Sequence, residues 1–316
     1  MIRVLVVVIL LAITGLFFVS RDKGVNLASP VGQVYGTTKI DIVNNWFPKE
    51  NFALSNPSNL NIGAQSAIAL NFETGEIIFN KNSRERLPVA STVKVMTALV
   101  ALESADPAAV YTVSEKAASV GENSMGLTAG EKLTLRELLY GLMLVSGNDA
   151  AVAIAEGVSG SEDKFVTRMN ETVSALGLKD TMFVNSSGLD EDGGNGYSTA
   201  YDMAVIAHYV WQKYELFRKV ASTYNEYIEY TSEHKAFDLY NDTNLLTTYP
   251  GVRGIKPGFT WEAGLCLVTY AENDGKKILA VILGSDDRRG EMKELLDYSF
   301  GTYGITVSHP GLDLQQ

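Results

Sequence analysis

The chain has 316 residues, a formal net charge of −11 and a sequence pI near 4.9. This length suits one catalytic domain of about 240 residues with appendages, and the acidic charge without a Lys/Arg run argues against nucleic acid as a partner. The single cysteine, Cys266, excludes an intrachain disulfide and a metal cluster. The three histidines lie far apart and outside any metal-ligand spacing, which disfavours a Ser-His-Asp triad without excluding it.

The N-terminus begins with an apolar run, residues 4–19, between Arg3 and Arg21. As a helix it would span roughly 24 Å, at the short end for a bilayer. We predict an uncleaved signal anchor over residues 1–20, with a cleaved signal peptide as the alternative. Both place the rest of the chain outside the cytoplasm. Residues 21–60, with scattered Gly, Pro and Asn, are interpreted as a linker.

The domain that follows, residues 61–306, begins with a predicted hairpin, in which apolar runs 66–70 and 76–79 flank the turn Glu73-Thr-Gly75. Helical periodicity is found at 91–103, 135–144, 149–157, 163–176 and 199–212. Strand-like runs occupy 224–230, 265–270 and 277–283, an amphipathic segment covers 289–298, and residues 307–316 form a tail. Strands at both ends around a helical middle predict an α/β (α+β) fold, with a mostly antiparallel sheet flanked by helices and an all-helical subdomain.

A first polar cluster, Ser91-Thr-Val-Lys94, opens the first of these helices. In the first turn, free backbone N–H groups favour negative charge near Ser91, and Lys94 lies on the same face three residues later. A partly buried amine has a lowered pKa, so Lys94 could take the serine proton. The alternative is that Ser91 is a helix cap and Lys94 a solvated residue.

A second cluster, Ser146-Gly-Asn148, interrupts two apolar helical segments. Polar residues buried there need partners. Ser146 is a candidate proton relay and Asn148 a candidate substrate-orienting amide, and the alternative is a helix-to-helix turn with a capping side chain.

The third cluster, Lys256-Pro-Gly258, stands in a glycine-rich passage. Gly258 would let a ligand approach the backbone closely. A simple turn is the alternative for this segment.

Together, the three clusters resemble the signature of the serine D-alanyl-D-alanine carboxypeptidases, low-molecular-mass penicillin-binding proteins of β-lactamase/transpeptidase-like fold. The likeness continues through Ser124-Met-Gly-Leu-Thr-Ala-Gly-Glu-Lys-Leu-Thr134, Phe183-Val-Asn-Ser-Ser-Gly-Leu-Asp190 and Gly264-Leu-Cys-Leu-Val268. It covers roughly residues 62–305 and favours the functional interpretation of each cluster.

The resemblance implies that Ser91 attacks the carbonyl between two terminal D-alanines of a peptidoglycan stem peptide, with Lys94 as base and Ser146 as proton relay. Asn148 would hold the substrate peptide and Lys256 would attract its carboxylate. The N–H groups of Ser91 and Phe259, just after Gly258, would form the oxyanion hole. No cofactor or metal is implied, and β-lactam antibiotics are expected covalent inhibitors.

One departure from the family pattern is Pro257, where threonine or serine is usual. Proline has neither the hydroxyl nor a backbone N–H. The loss of one hydrogen bond to the substrate carboxylate costs about 1.5–3 kcal/mol of binding free energy unless another residue compensates. Thr260 keeps a hydroxyl nearby, whereas strand parity points Arg253 to the opposite face. We therefore expect weaker carboxylate recognition with acylation retained.

Three other functions remain open. A D,D-endopeptidase would use the same residues. A class A β-lactamase would need a deacylating glutamate, for which Glu191-Asp-Gly-Gly-Asn195 offers the only comparable spacing after Ser146. A non-catalytic wall-binding protein is the last alternative, motivated by Pro257.

Overall fold

A computed structural model of the chain describes residues 46–49, 60–190, 196–243 and 245–309. Its centre is a five-stranded sheet of order β2-β1-β9-β8-β7, in which every neighbouring pair is antiparallel. The strands are β1 (Ser66–Asn71), β2 (Ile77–Lys81), β7 (Val252–Thr260), β8 (Gly264–Asn273) and β9 (Lys276–Ser285). The predicted hairpin is confirmed as β1–β2, and the predicted strands at 265–270 and 277–283 as β8 and β9.

Strand β7 is absent from the predicted strands, because glycines and a proline interrupt its sequence. It forms one edge of the sheet, where proline is tolerated since that strand has a neighbour on one side only. The register to β8 shifts between Val252 and Ile255, next to Gly254 at φ 111°, and then runs without interruption to Thr260. This edge borders the site described below.

The sheet separates two hydrophobic cores. Along β9, Leu279 and Val281 belong to the larger core, and Ile278 and Ala280 to the smaller one, as expected when successive side chains point to opposite faces. Helix α9 (Arg288–Gly301) covers the smaller core. Helices α1 (Lys94–Ser104), α3 (Leu135–Leu144), α4 (Asn148–Ser159), α5 (Glu162–Ala175) and α6 (Ala200–Lys213) contribute to the larger one.

All of the predicted helical segments are confirmed, and their starts follow from side-chain caps. Thr134 and Glu137 form a reciprocal capping box at α3, and Ser161 and Thr199 accept hydrogen bonds from the first turns of α5 and α6. Asp287 caps α9 in the same way. These bonds satisfy backbone donors that would otherwise have no partner at a helix start.

The predicted all-helical subdomain is wrong in one respect, because two short antiparallel ribbons accompany its helices. One pairs β3 (Val110–Thr112) with β4 (Lys132–Thr134), and the other pairs β5 (Asn225–Ile228) with β6 (Phe237–Tyr240). Three short helices, α2 (Glu115–Ser119), α7 (Glu215–Ala221) and α8 (Leu245–Thr248), complete the described elements. The predicted strand at 224–230 is confirmed as β5, whereas β3, β4 and β6 are too short to produce a clear alternating pattern.

Residues 46–49 lie in the segment interpreted as a linker, and they contact the domain. The Trp46 ring stacks on His208 with centroids 3.6 Å apart, and Lys49 pairs with Glu76 beside β2. Burial lowers the pKa of His208 to about 4, so this imidazole is neutral at physiological pH. The predicted signal anchor, residues 1–20, lies outside the described residues, among which no helix is long and apolar enough to cross a membrane.

Candidate active site

Ser91 lies in a 3-10 turn, Ala90–Val93, that leads directly into α1. Ala90 has φ 47°, unusual for a residue with a side chain, and the Thr92 hydroxyl closes the turn by donating to the Val89 carbonyl at 2.6 Å. One turn later, the Lys94 Nζ lies 2.9 Å from the Ser91 Oγ. The predicted Ser-x-x-Lys contact is therefore present.

Lys94 is completely buried. Besides Ser91, its Nζ donates to the Asn148 Oδ1 at 2.8 Å and to the Ser187 carbonyl at 2.6 Å. Burial, followed by the nearby charge of Lys256, holds the pKa of Lys94 well below its usual value of 10.5. Both effects disfavour the ammonium form, so the neutral amine, which can accept a proton, is more accessible than in a solvated lysine.

The second cluster forms the turn between α3 and α4. Ser146 is buried and adopts φ 58°, and its Oγ makes no hydrogen bond within the described part of the chain. The turn is held by the Asn148 N–H, which donates to the Asn123 carbonyl at 2.7 Å, while the Asn148 Nδ2 donates to the Gly121 carbonyl at 3.0 Å. The segment is thus a helix-to-helix turn, and it also brings two polar side chains to the serine.

The third cluster lies on β7. Lys256 is completely buried, and its Nζ is 3.4 Å from the Asp242 Oδ1. Burial lowers the pKa of Lys256 even though Asp242 opposes this shift. A Cβ added at Gly258 would lie 3.0 Å from the Ser91 nitrogen, a tighter contact than most Cβ atoms make, so glycine favours the close passage of β7 beside the serine turn.

These residues surround one cleft with an empty volume of about 530 Å³. Six of the eight predicted site residues line it: Ser91, Ser146, Asn148, Gly258, Phe259 and Thr260. The other two, Lys94 and Lys256, are buried and contact its lining. The structure therefore brings together every residue of the predicted site. Among the described residues, no group of three His, Cys, Asp or Glu side chains is placed to hold a metal ion.

Three charged residues of the cleft, Glu122, Asp242 and Arg288, were not predicted. Asp242 contacts Lys256, and Arg288 donates from Nη1 to the Gly258 carbonyl at 2.7 Å. Burial lowers the pKa of Arg288. Asp242 follows β6 and Arg288 begins α9, and only the tertiary fold brings these two residues to the cleft. Arg253, considered as a compensating cation, does not line it.

A further unpredicted role belongs to Asp149, which fixes the opposite wall. Its carboxylate accepts hydrogen bonds from the N–H groups of Met125, Gly126 and Leu127 at 2.9–3.0 Å, and from the Ser124 hydroxyl at 2.6 Å. The loop that includes Glu122 and Asn123 leads into this anchor. Asp149 is thus a positioning residue for the cleft wall.

The family described as D-alanyl-D-alanine carboxypeptidase, peptidase S11, matches residues 51–287. The D-alanyl-D-alanine carboxypeptidase DacF of Bacillus subtilis is 41% identical over 255 residues, which cover 78% of this chain and 64% of that protein. DacB2 of Mycobacterium tuberculosis is 33% identical, with 70% of this chain and 74% of that protein covered. The crystal structure of the Streptomyces K15 DD-transpeptidase has a TM-score of 0.72 and 30% identity, covering 78% of this chain and all of that one. On these matches, the chain belongs to the D-alanyl-D-alanine carboxypeptidase family, peptidase S11.

Proposed function

We propose that this protein is a serine D-alanyl-D-alanine carboxypeptidase, which removes the terminal D-Ala from peptidoglycan stem peptides through an acyl-enzyme on Ser91. The observation that carries the proposal is the 2.9 Å contact between the Ser91 Oγ and the buried Lys94 Nζ. A nucleophile within hydrogen-bond reach of a base with a lowered pKa is the arrangement that covalent catalysis requires.

Acylation begins when the Ser91 hydroxyl gives its proton to the neutral Lys94 amine while the Oγ bonds to the carbonyl carbon. The resulting tetrahedral intermediate collapses as the C–N bond to the terminal residue breaks. The proton held by Lys94 is handed on through the Ser146 hydroxyl, whose Oγ has no partner in the described part of the chain, to the leaving amine, so that Lys94 becomes neutral again and Ser146 keeps its hydroxyl. Free D-alanine departs, and water then attacks the ester, releases the shortened peptide and returns the proton to Ser91.

The oxyanion hole is assigned to the N–H groups of Ser91 and Phe259. Proline cannot donate to a neighbouring strand, yet the register of β7 with β8 runs unbroken through Pro257. We infer that the amide edge of Pro257 points away from β8. Phe259, two residues later, has the same orientation, and its N–H therefore points to the free edge of β7, next to the serine turn. The proline would thus cost no bond within the sheet.

Carboxylate recognition is assigned to Lys256 and Arg288. Arg288 supplies a second cation at the cleft beside Pro257. This charge offsets part of the binding free energy that is lost because proline has no hydroxyl. Thr260 also lines the cleft, and its Oγ1 accepts a hydrogen bond from the Ala263 N–H at 3.1 Å, which leaves the hydroxyl hydrogen free to be donated to a carboxylate. The expected weakening of carboxylate binding is accordingly smaller than the residue at 257 alone implies.

The location and the other ligands follow from this substrate. The enzyme would act outside the cytoplasm, anchored to the membrane through residues 1–20, and β-lactams would acylate Ser91 because they offer a reactive amide carbonyl. The glutamate considered for a β-lactamase, Glu191, lies outside the described residues. An endopeptidase activity on cross-links would use the same groups.

The test is the intact mass of the protein during incubation with benzylpenicillin, together with D-alanine release from a D-Ala-D-Ala peptide. We expect a persistent adduct of one penicillin and release of D-alanine, both lost in Ser91→Ala. Rapid penicillin consumption without a persistent adduct would indicate a β-lactamase. Absence of both adduct and D-alanine release would indicate a non-catalytic protein.

A further inference from the structure

The Ser187 carbonyl, which accepts a hydrogen bond from the Lys94 Nζ at 2.6 Å, lies in an irregular segment between α5 and α6. Such a segment lacks the regular backbone hydrogen bonds of a helix or a sheet, so side chains from other elements fix its position. Ser186 and Ser187 are both buried. The groups that bind these two serines therefore determine where one partner of the Lys94 amine lies.

Glu162, in the first turn of α5, holds this segment from a neighbouring element. Its Oε1 accepts hydrogen bonds from the Ser186 N–H at 3.2 Å and from the Ser186 hydroxyl at 2.7 Å. Its Oε2 accepts one from the Lys116 Nζ at 2.7 Å. Burial disfavours the charged form of Glu162, but the bonds from Lys116 and Ser186 hold the pKa of this carboxyl below its usual value. The group is therefore ionised at neutral pH, and an ionised acceptor forms stronger hydrogen bonds than a neutral one.

Two further bonds connect Ser186 to the position of Ser187. The Ser186 carbonyl accepts a hydrogen bond at 2.6 Å from the hydroxyl of Thr97, which lies one turn after the lysine on α1. The Asn185 Oδ1 accepts one from the Gly188 N–H at 2.7 Å, and this N–H shares a planar peptide group with the Ser187 carbonyl. Because the peptide groups are planar and consecutive, a displacement of Ser186 would also displace the Ser187 carbonyl.

We propose that Glu162 is a positioning residue for acylation: through Ser186 it holds the Ser187 carbonyl where this carbonyl orients the Lys94 amine towards the nucleophile. The inference rests on the proposed function, in which Lys94 is the base. Glu162 does not line the cleft. The charges that act most strongly on the pKa of Lys94 belong to other residues: Lys256, Asp242, Glu122 and Asp149. Glu162 thus acts through its hydrogen bonds and the geometry that they fix, and not through the field of its charge at Lys94.

The test is the rate at which the benzylpenicillin adduct forms, measured across pH, together with the Tm of each variant. Glu162→Ala should lower the plateau rate by about tenfold, because the base is less well oriented. A less firmly held Ser187 carbonyl also stabilises the ammonium form less, so the pKa of Lys94 should fall and the acid limb of the pH–rate profile should move to lower pH. Glu162→Gln keeps an oxygen for Ser186 and should retain most of the parent rate, because Lys116, whose side chain is 58% exposed, can turn to solvent. Equal losses in the two variants would contradict action through the hydrogen bonds.

Glu156→Ala is the matched control. Glu156 is also partly buried, but its Oε2 accepts a hydrogen bond at 2.5 Å from the hydroxyl of Ser114, the capping residue of α2. This variant should lower Tm and leave both the acylation rate and the acid limb unchanged. If Glu162→Ala does not fold, Ser186→Ala replaces it, because this variant removes only the 2.7 Å bond. Its rate should fall by a smaller factor, with the acid limb again at lower pH.

A plateau rate in Glu162→Ala equal to that of Glu156→Ala, or an acid limb that stays in place or moves to higher pH, would overturn the inference. An unchanged rate in Ser186→Ala would do the same. NMR titration of Lys94 in protein with isotope-labelled lysine measures its pKa without turnover. A lower pKa of Lys94 in Glu162→Ala, but no adduct in the parent protein, would overturn the proposed function and leave the link between Glu162 and Lys94 supported. An adduct in the parent protein, with the same pKa and rate in the variant, would do the reverse.

Discussion

Two substitutions at Asn148 should separate stability from catalysis. The Asn148 side chain accepts a hydrogen bond from Lys94 at 2.8 Å and donates one to the Gly121 carbonyl at 3.0 Å. Asn148→Ala removes both. With the Lys94 amine neutral, each of the two bonds is worth about 0.5–1.5 kcal/mol. We expect about 1–3 kcal/mol of lost stability, or a fall in Tm of roughly 2–12 °C.

Asn148→Asp keeps the acceptor oxygen but adds a negative charge beside the Lys94 amine. This carboxylate stabilises the ammonium form and raises the pKa of Lys94, so a smaller fraction of the base is neutral at pH 7. Acylation at pH 7 should slow about tenfold for each unit by which the pKa of Lys94 rises. The acid limb of the pH–rate profile for acylation should move to higher pH. The loss of stability should be smaller than in Asn148→Ala.

The assays are thermal unfolding and the rate of the benzylpenicillin adduct by intact mass, measured across pH. Asn80→Asp on β2 is the matched control, because it adds the same charge at the far edge of the sheet and keeps the oxygen that accepts from the Ser83 N–H. If Asn148→Asp acylated at the parent rate with an unchanged pH profile, Lys94 would not be the titrating base.

Three further outcomes can be measured with the same assays. Lys256→Gln removes a cation that lowers the pKa of Lys94, so the acid limb of the pH–rate profile for acylation should move to higher pH. Lys256→Arg keeps the charge and should leave this limb in place. A shift to lower pH in Lys256→Gln would contradict the coupling of the two lysines. Gly188→Ala should lower the free energy of unfolding by about 2–4 kcal/mol. Gly188 has φ 82°, and a Cβ there would overlap the Ala90 carbonyl oxygen. An unchanged Tm in thermal unfolding would refute this. Pro257→Thr should raise kcat/KM on a D-Ala-D-Ala peptide by less than about tenfold, since Arg288 already supplies a cation there, and unchanged or reduced turnover would indicate a site built around proline.

The parts of the fold that could be predicted are those with local signals. The β1–β2 hairpin has a turn sequence between two apolar runs, and the helices have apolar periodicity and caps such as Thr134 with Glu137. Strand β7 has neither, because Gly254, Pro257 and Gly258 break the pattern of a strand. Its conformation depends on pairing with β8, which is not apparent in the segment itself.

The candidate site divides in the same way. Ser91 and Lys94 are one helical turn apart, so their contact follows from spacing alone. Asp242 and Arg288 reach the cleft only through the tertiary arrangement of β6, β7 and α9. No local pattern distinguishes Arg288 from Arg289 beside it, since the difference lies in which side chain the first turn of α9 directs to the Gly258 carbonyl.

The three partners of the Lys94 Nζ have a consequence for the direction of proton flow. Two of them, the Ser187 carbonyl and the Asn148 Oδ1, can only accept hydrogen bonds, and the Asn148 amide is held in this orientation by its bond to the Gly121 carbonyl. A neutral amine has two hydrogens and one lone pair. When both hydrogens are committed to these acceptors, the lone pair is left facing the Ser91 hydroxyl, the only one of the three partners that can donate. Loss of one proton from Lys94 thus orients the base towards its nucleophile without any rotation of the side chain.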